Sequence, residues 1–169
     1  MPFVPPDFTL PEVVEADGFT VRPIHVDDTL IDYDAVMTSV DSIRDTYWRA
    51  PGWPTDDLTL EQDLIDLAWH TKERQFRTSF VYIPVSPDGK VQLGAVYIDP
   101  SVKEGYDANV QIWVRASERD TGFGDRFYRF VHDWIERDWP FERVAYPGRE
   151  ISREEWDALP PTSYAEWRA

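Results

Sequence analysis

Two hydrophobic periods alternate along this chain, and they predict its elements. Phe19-Thr20-Val21-Arg22-Pro23-Ile24 alternates with period two and reads as a strand, with Pro23 favouring an edge or a strand end. Asp27 or Asp28 then caps a helix in which Leu30, Tyr33, Val36, Met37 and Val40 recur at helical spacing. Residues 44–57 mix Tyr47, Trp48 and Trp53 with Pro51, Gly52 and Pro54, and read as a loop. Thr59-Leu60-Glu61-Gln62 fits a capping box, so a helix is expected from there to about Arg74, with Leu60, Leu64, Leu67 and Ala68 as its apolar face. Residues 79–86 and 90–99 read as a hairpin turning at Pro87-Asp88-Gly89. In its second strand Val91, Leu93, Ala95 and Tyr97 share one face and Gly94, Val96 and Ile98 the other, so both faces are expected to be covered. A further strand spans 107–115, around Asn109-Val110-Gln111-Ile112-Trp113-Val114. The helical period is strongest over 122–138, at Phe123, Phe127, Phe130, Val131, Trp134 and Ile135. A last strand is expected at 141–146 and a short helix at 151–159, before Pro160-Pro161.

The order strand, helix, helix, hairpin, strand, helix, strand implies an α+β (mixed α/β) fold. Its sheet should be mixed but mostly antiparallel, with five to six strands, helices on both faces and a right-handed parallel crossover at the end. The Pro-rich, acidic residues 1–17 read as an extended arm, 18–148 as the one domain and 149–169 as a C-terminal tail. A sheet that stops at 141–146 leaves an edge near 143–146, to be covered by the tail or by a second copy in a homodimer.

Composition narrows the class. An aromatic share of 15%, with 8 Trp, is more than a disordered chain carries. No apolar run reaches membrane-spanning length. The N-terminal residues lack the basic start and apolar stretch of a secretory signal, so a cytoplasmic location is the default expectation. With no cysteine, disulfides and thiolate metal sites are excluded. His25, His70 and His132 are scattered without metal-ligand spacing, so no metal is expected. No Gly-x-Ser-x-Gly elbow is present. The formal net charge of −15 argues against nucleic acid and an anionic membrane surface. It suits a cationic partner such as an amine, although an acidic surface also serves solubility alone.

The candidate chemistry lies in Arg119-Asp120-Thr121-Gly122-Phe123-Gly124, between a predicted strand and the most periodic helix. A helix opening on glycines offers unpaired N–H groups and a positive dipole end to a phosphate, with no Cβ in the way. The same two glycines also suit a plain strand-to-helix turn. The dinucleotide fingerprint needs a glycine where Phe127 stands. The P-loop needs Lys-Ser/Thr where Asp125-Arg126 stand.

What remains, Arg/Gln-x-x-Gly-x-Gly/Ala with Val114 five residues upstream, resembles the acetyl-coenzyme A motif of the Gcn5-related N-acetyltransferases (GNAT). The element order over residues 19–147 resembles that family too. The resemblance implies acetyl transfer from acetyl-CoA to a small-molecule or peptide amine. Val114 and the backbone of Thr121, Gly122, Phe123, Gly124 and Asp125 would take the pantetheine arm and pyrophosphate, and Arg119 the family's Arg/Gln position. Arg115 and Arg126 would add positive charge, Arg126 from the first helical turn. By the same resemblance Asp107 is the candidate base and Trp48 and Trp53 candidate walls of the acceptor pocket. Tyr128 and Tyr106 are the candidate acids.

The sequence departs from the family in two places. Glu118, Asp120 and Asp125 make the motif acidic, and only 149–169 follow the last strand, too few for the usual further helix and strand pair. The family's acid, a Tyr in that helix, has no counterpart in pattern, although Tyr146 and Tyr164 are present. The other functional reading is therefore a non-catalytic binding module of the same fold with a decayed cofactor site.

Overall fold

The computed structural model describes residues 3–163, in which six strands pair in sequence order. They are β1 (Val14–Ala16), β2 (Phe19–Pro23), β3 (Phe80–Val85), β4 (Gly94–Pro100), β5 (Ala108–Val114) and β6 (Val144–Ala145). All neighbours are antiparallel except β5 and β6, which are parallel. Helices α1 (Thr29–Met37), α2 (Val40–Thr46) and α3 (Leu60–Phe76) cover one face. Helix α4 (Phe123–Asp138) covers the other, and α5 (Arg153–Ala158) lies in the tail. The expected mixed, mostly antiparallel sheet with helices on both faces is present.

The period-two pattern of the central strands sorts their side chains between two cores. Val96, Ile98, Val110 and Ile112 pack with Phe123, Phe127, Val131 and Trp134 of α4. Ala95, Tyr97 and Trp113 pack with Ala35, Val36, Ile43 and Leu67 from the other helices. Gly94 is a packing requirement, because a Cβ there would stand 2.3 Å from the Trp113 carbonyl oxygen.

Four expectations need correction. The arm at 1–17 supplies β1, and Val4 is buried in the core beside α4, so it is part of the sheet and not a surface strap. The single helix expected from 27 to 40 is two. Thr38 Oγ1 donates to the Asp34 and Ala35 carbonyls (2.6 and 3.3 Å), and Ser39, at φ −131°, leaves helical geometry. Asp28 gives no side-chain cap, because its carboxylate accepts both Arg22 guanidinium nitrogens (2.8 and 2.6 Å) and the His25 N–H (2.9 Å). The last strand shrinks to two residues, which itself limits the exposed edge.

The largest difference is in α3. Of Leu60, Leu64, Leu67 and Ala68, only Leu67 is buried. Asp63 and His70 turn inward with it. They meet a polar network under the sheet. Asp32 and Asp63 are neighbouring buried carboxyls there, and Gln92 Nε2 donates to Asp32. Arg49 donates to Asp99 (2.7 and 3.2 Å), and Ser79 Oγ donates to the same carboxylate (2.6 Å). His70 lies between Asp66 (3.5 Å) and Glu73 (3.1 Å). These partners hold the polar side of α3 inward.

Candidate functional site

A cleft opens where β5 and β6 part. The two strands pair only at Ala108↔Val144 and Asn109↔Ala145. From Val110 to Val114, β5 therefore has no strand partner on that side. The gap is a cleft of about 400 Å³. Val110, Ile112 and Val114 form its floor. Gly122, Gly124, Asp125 and Tyr128 come from the start of α4, and Tyr146 to Arg149 follow β6. Ser42, Asp45, Thr46 and Trp48 come from α2 and its exit.

The glycine turn stands at this cleft. Gly122 has φ +77°, a left-handed conformation that glycine adopts without strain, and it caps α4 without a side-chain bond. The Phe123 N–H goes to Thr121 Oγ1 (3.2 Å). The next N–H groups, of Gly124 and Asp125, sit in a first turn that has no intrahelical acceptors. A Cβ on Gly124 would meet Arg149 Nη2 at 3.6 Å and Val114 Cγ2 at 3.8 Å, so a longer side chain would fill the space over the turn. That cradle, with its donors and the positive dipole end, fits a phosphate group. It also contains its own ion pair: Arg149 Nη1 donates to Asp125 (3.2 Å), and the guanidinium lies 5.3 Å over the Tyr128 ring.

Tyr128 donates to Glu150 at 2.5 Å. Burial and that carboxylate push its hydroxyl pKa up, and burial does the same to Tyr146. Both phenols keep their protons at neutral pH. On the α2 side, the Trp48 ring lies under the Arg153 guanidinium (5.1 Å), where a Cβ on Gly148 would meet it at 3.6 Å, and the Trp48 backbone N–H donates to Gln111 Oε1 (3.0 Å).

The structure thus brings Val114, Arg119, Gly122, Gly124, Asp125, Tyr128 and Trp48 to one cleft. Other sequence candidates stand elsewhere. The Phe123 side chain is in the core, which leaves only its backbone near the turn. The Thr121 hydroxyl donates to Glu118 (2.9 Å to the carbonyl). Arg115 is paired with Asp34 (2.6 Å), and Arg126 lies over the Phe123 ring (5.8 Å). Asp107 is at the opposite end of β5 from Val114. Its carboxylate accepts the Glu142 and Arg143 N–H groups (2.9 and 2.8 Å) and so fixes the entry to β6. Trp53 packs edge-on to Tyr47 (5.6 Å), beside a separate small cavity with Asp66 and His70. Tyr164 lies outside the described residues. Sequence reasoning missed Asp45 and Arg149, and it gave Tyr146 no place in the site. It also found no metal spacing, whereas α4 brings His132, Asp133 and Glu136 ligand atoms within 4.8 Å of one another on its outer side.

No protein-family model matches the chain, and no curated protein resembles it in sequence. Solved structures do resemble it in shape. A ribosomal-protein-S5-alanine acetyltransferase from Vibrio fischeri superimposes with a TM-score of 0.65 at 16% identity, over 88% of this chain and 79% of that one. RimL, a ribosomal L7/L12 alpha-N-protein acetyltransferase with coenzyme A, gives 0.64 at 11% identity, over 80% and 73%. A spermidine N-acetyltransferase chimera, SpeG from Vibrio cholerae with hSSAT, gives 0.54 at 10% identity, over 76% and 69%. At these identities the likeness is one of fold: the chain has the fold of the Gcn5-related N-acetyltransferases.

Proposed function

We propose that the chain is an acetyl-CoA-dependent N-acetyltransferase acting on a primary amine. The observation that carries this reading is the glycine turn of α4 standing at the mouth of the gap between β5 and β6. The first-turn N–H groups at Gly124 and Asp125 would hold the pyrophosphate, and Arg149 and Arg119 would add positive charge. The unpaired edge from Val110 to Val114 would bond the amides of an extended pantetheine arm, as a strand edge bonds an added strand. Acetyl-CoA, when bound, supplies an activated acyl thioester.

The chain's own residues divide the remaining work. A backbone N–H of the open β5 edge polarises the acyl carbonyl. Tyr128, kept protonated, donates its proton to the departing sulfur. Asp45 lines the cleft from α2 and makes no ion pair among the described residues. It draws in the ammonium of the acceptor and takes its proton. The net charge of −15 attracts such a cation from a distance. The related folds act, by their names, on protein N-termini and on spermidine. Peptide α-amines and polyamines are therefore the first acceptors to test.

The Arg149–Asp125 pair favours a second reading, a non-catalytic module whose own carboxylate occupies the phosphate cradle. Thermal melts separate the two. A ligand at a hundredfold excess over Kd adds about 2.7 kcal/mol, or several degrees at roughly 2–4 °C per kcal/mol for this size. Acetyl-CoA should raise the Tm of the parent and of Asp88→Ala in the distant hairpin turn, but not of Gly124→Glu. No shift at millimolar acetyl-CoA would leave the module reading. A shift without any acetylated amine would mean that binding survives and catalysis does not.

A further inference from the structure

Tyr128 makes one hydrogen bond that its part in the reaction has to break. Its hydroxyl donates to Glu150 Oε1 at 2.5 Å, so the proton it would give a departing sulfur is already aimed at a carboxylate. The chain after β6 builds this contact. It turns about the Tyr146 carbonyl, which accepts the N–H groups of Arg149, Glu150 and Ile151 (3.1, 3.0 and 3.4 Å). The turn presents Arg149 to the Tyr128 ring and Glu150 to its hydroxyl.

The charges decide which form of this pair can react. With Glu150 ionised, giving the phenol proton to sulfur would leave a phenolate beside a carboxylate, and like charges that close do not both persist. Burial and the same carboxylate already push the phenol pKa up. With Glu150 protonated, its own O–H donates to Tyr128 Oη, and the phenol hydrogen is free to turn to the cleft.

We propose that Tyr128 and Glu150 work as one acid, in which Glu150 brings a proton into the site and passes it through Tyr128 to the leaving thiolate. This rests on the acetyltransferase reading. As the carbon–sulfur bond breaks, sulfur keeps the bonding pair and takes the phenol proton. The phenol oxygen takes the proton of Glu150, which is left as a carboxylate. One proton has passed from Glu150 to sulfur, and Tyr128 is unchanged.

Glu150 is placed to be reloaded while a donor fills the cleft. Its side chain is 48% exposed, and it lines a second cavity of about 200 Å³. Tyr146 lines both spaces and forms the wall between them, with Tyr128 on the cleft and Glu150 on the cavity. His132 Nε2 faces the same Glu150 oxygen at 3.6 Å, with Asp133 at its other nitrogen (3.4 Å), and Glu136 and Glu142 line the cavity beside them. Arg149 is turned to Asp125 instead. Carboxylates so arranged concentrate hydronium and cationic buffer at Glu150.

The first test needs no acceptor. With carbon-13 at tyrosine Cζ, and the Tyr128 line assigned by its loss in Tyr128→Phe, that line should step with pH as Glu150 takes up a proton. The step should be gone in Glu150→Gln. The second test is kinetic, with acetyl-CoA and either spermidine or an alanine-ended peptide. Glu150→Gln should lower kcat to the level of Tyr128→Phe, on the order of a hundredfold, with the acetyl-CoA-induced Tm shift intact. Joining the two substitutions should lower it no further, since they remove one function. The parent kcat should also fall as pH rises through the same step, a limb that Glu150→Gln lacks. A Tyr128 line whose step is absent or survives Glu150→Gln overturns the proposal. So does a Glu150→Gln variant with unchanged or higher kcat, which would make Glu150 a clamp on Tyr128 and nothing more. A chain that shows the step but acetylates no amine fails at the acetyltransferase reading, and the shared acid falls with it.

Discussion

Tyr128 reaches the cleft from the second turn of α4, so one substitution separates binding from chemistry. Tyr128→Phe removes the proton donor and keeps the ring under the Arg149 guanidinium. We expect kcat to fall on the order of a hundredfold, while the acetyl-CoA-induced Tm shift stays. A variant with unchanged kcat would move the acid role to Tyr146, the other phenol on the cleft. At this scale the sequence disclosed what is local. Val114, the glycine turn and Tyr128 follow one another closely along the chain, and their spacing alone sets them on one strand end and one helix start. Asp45, Tyr146 and Arg149 carry no such signal. Tyr146 and Arg149 meet Gly124 only because α4 crosses back and β6 lies parallel to β5, and Asp45 arrives separately on α2, which packs against β5. Trp48 and Trp53 look equivalent in one loop of the sequence, yet the short stretch between them is enough to place them on different cavities.

Helix α3 shows why its own period misleads. Its apolar residues read as the core face because burial usually follows hydrophobicity, but here the partners under the helix are Asp32, Arg49 and Asp99. Those partners come from α1, the loop after α2 and β4, and pairings so distant in sequence leave no trace in a helical period. The arrangement has a pH signature. Burial alone would push the His70 pKa down, but hydrogen bonds to Asp66 and Glu73 outweigh it and raise it to about 9. The unfolded value is about 6.5. The folded chain thus holds this proton more tightly, and the stabilisation is full below about pH 6.5 and lost as the pH climbs through 9. Asp63, raised to about 8 by burial and by the Asp32 charge, acts in the same direction. Tm should descend from about pH 6.5 to 9, and less steeply in His70→Gln. A parent Tm that is level or rising across that window would contradict the protonated network.

For the whole molecule, the tail takes over ground that the shortened sheet leaves open. Lys103 bridges to Pro161, its ammonium donates to the Asp157 and Leu159 carbonyls (3.2 and 2.8 Å), and Trp156 is buried. Trp156→Ala should cost about 3 kcal/mol in chemical denaturation and should also weaken acetyl-CoA binding, because Arg149 and Gly148 hang on the same segment. A loss of stability with unchanged binding would show that the tail is a cover only. The parting of β5 from β6 has a consequence of another kind. A row of main-chain amides between Val110 and Val114 lies open in the middle of the molecule, in a region whose other side is fully laddered to β4. In deuterated buffer this stretch should behave as two populations, with the β4-side amides slow and the cleft-side amides fast. Adding acetyl-CoA should slow the second population toward the first, so that the deuterium uptake of one short peptide reports whether the sheet has been completed by something that is not protein.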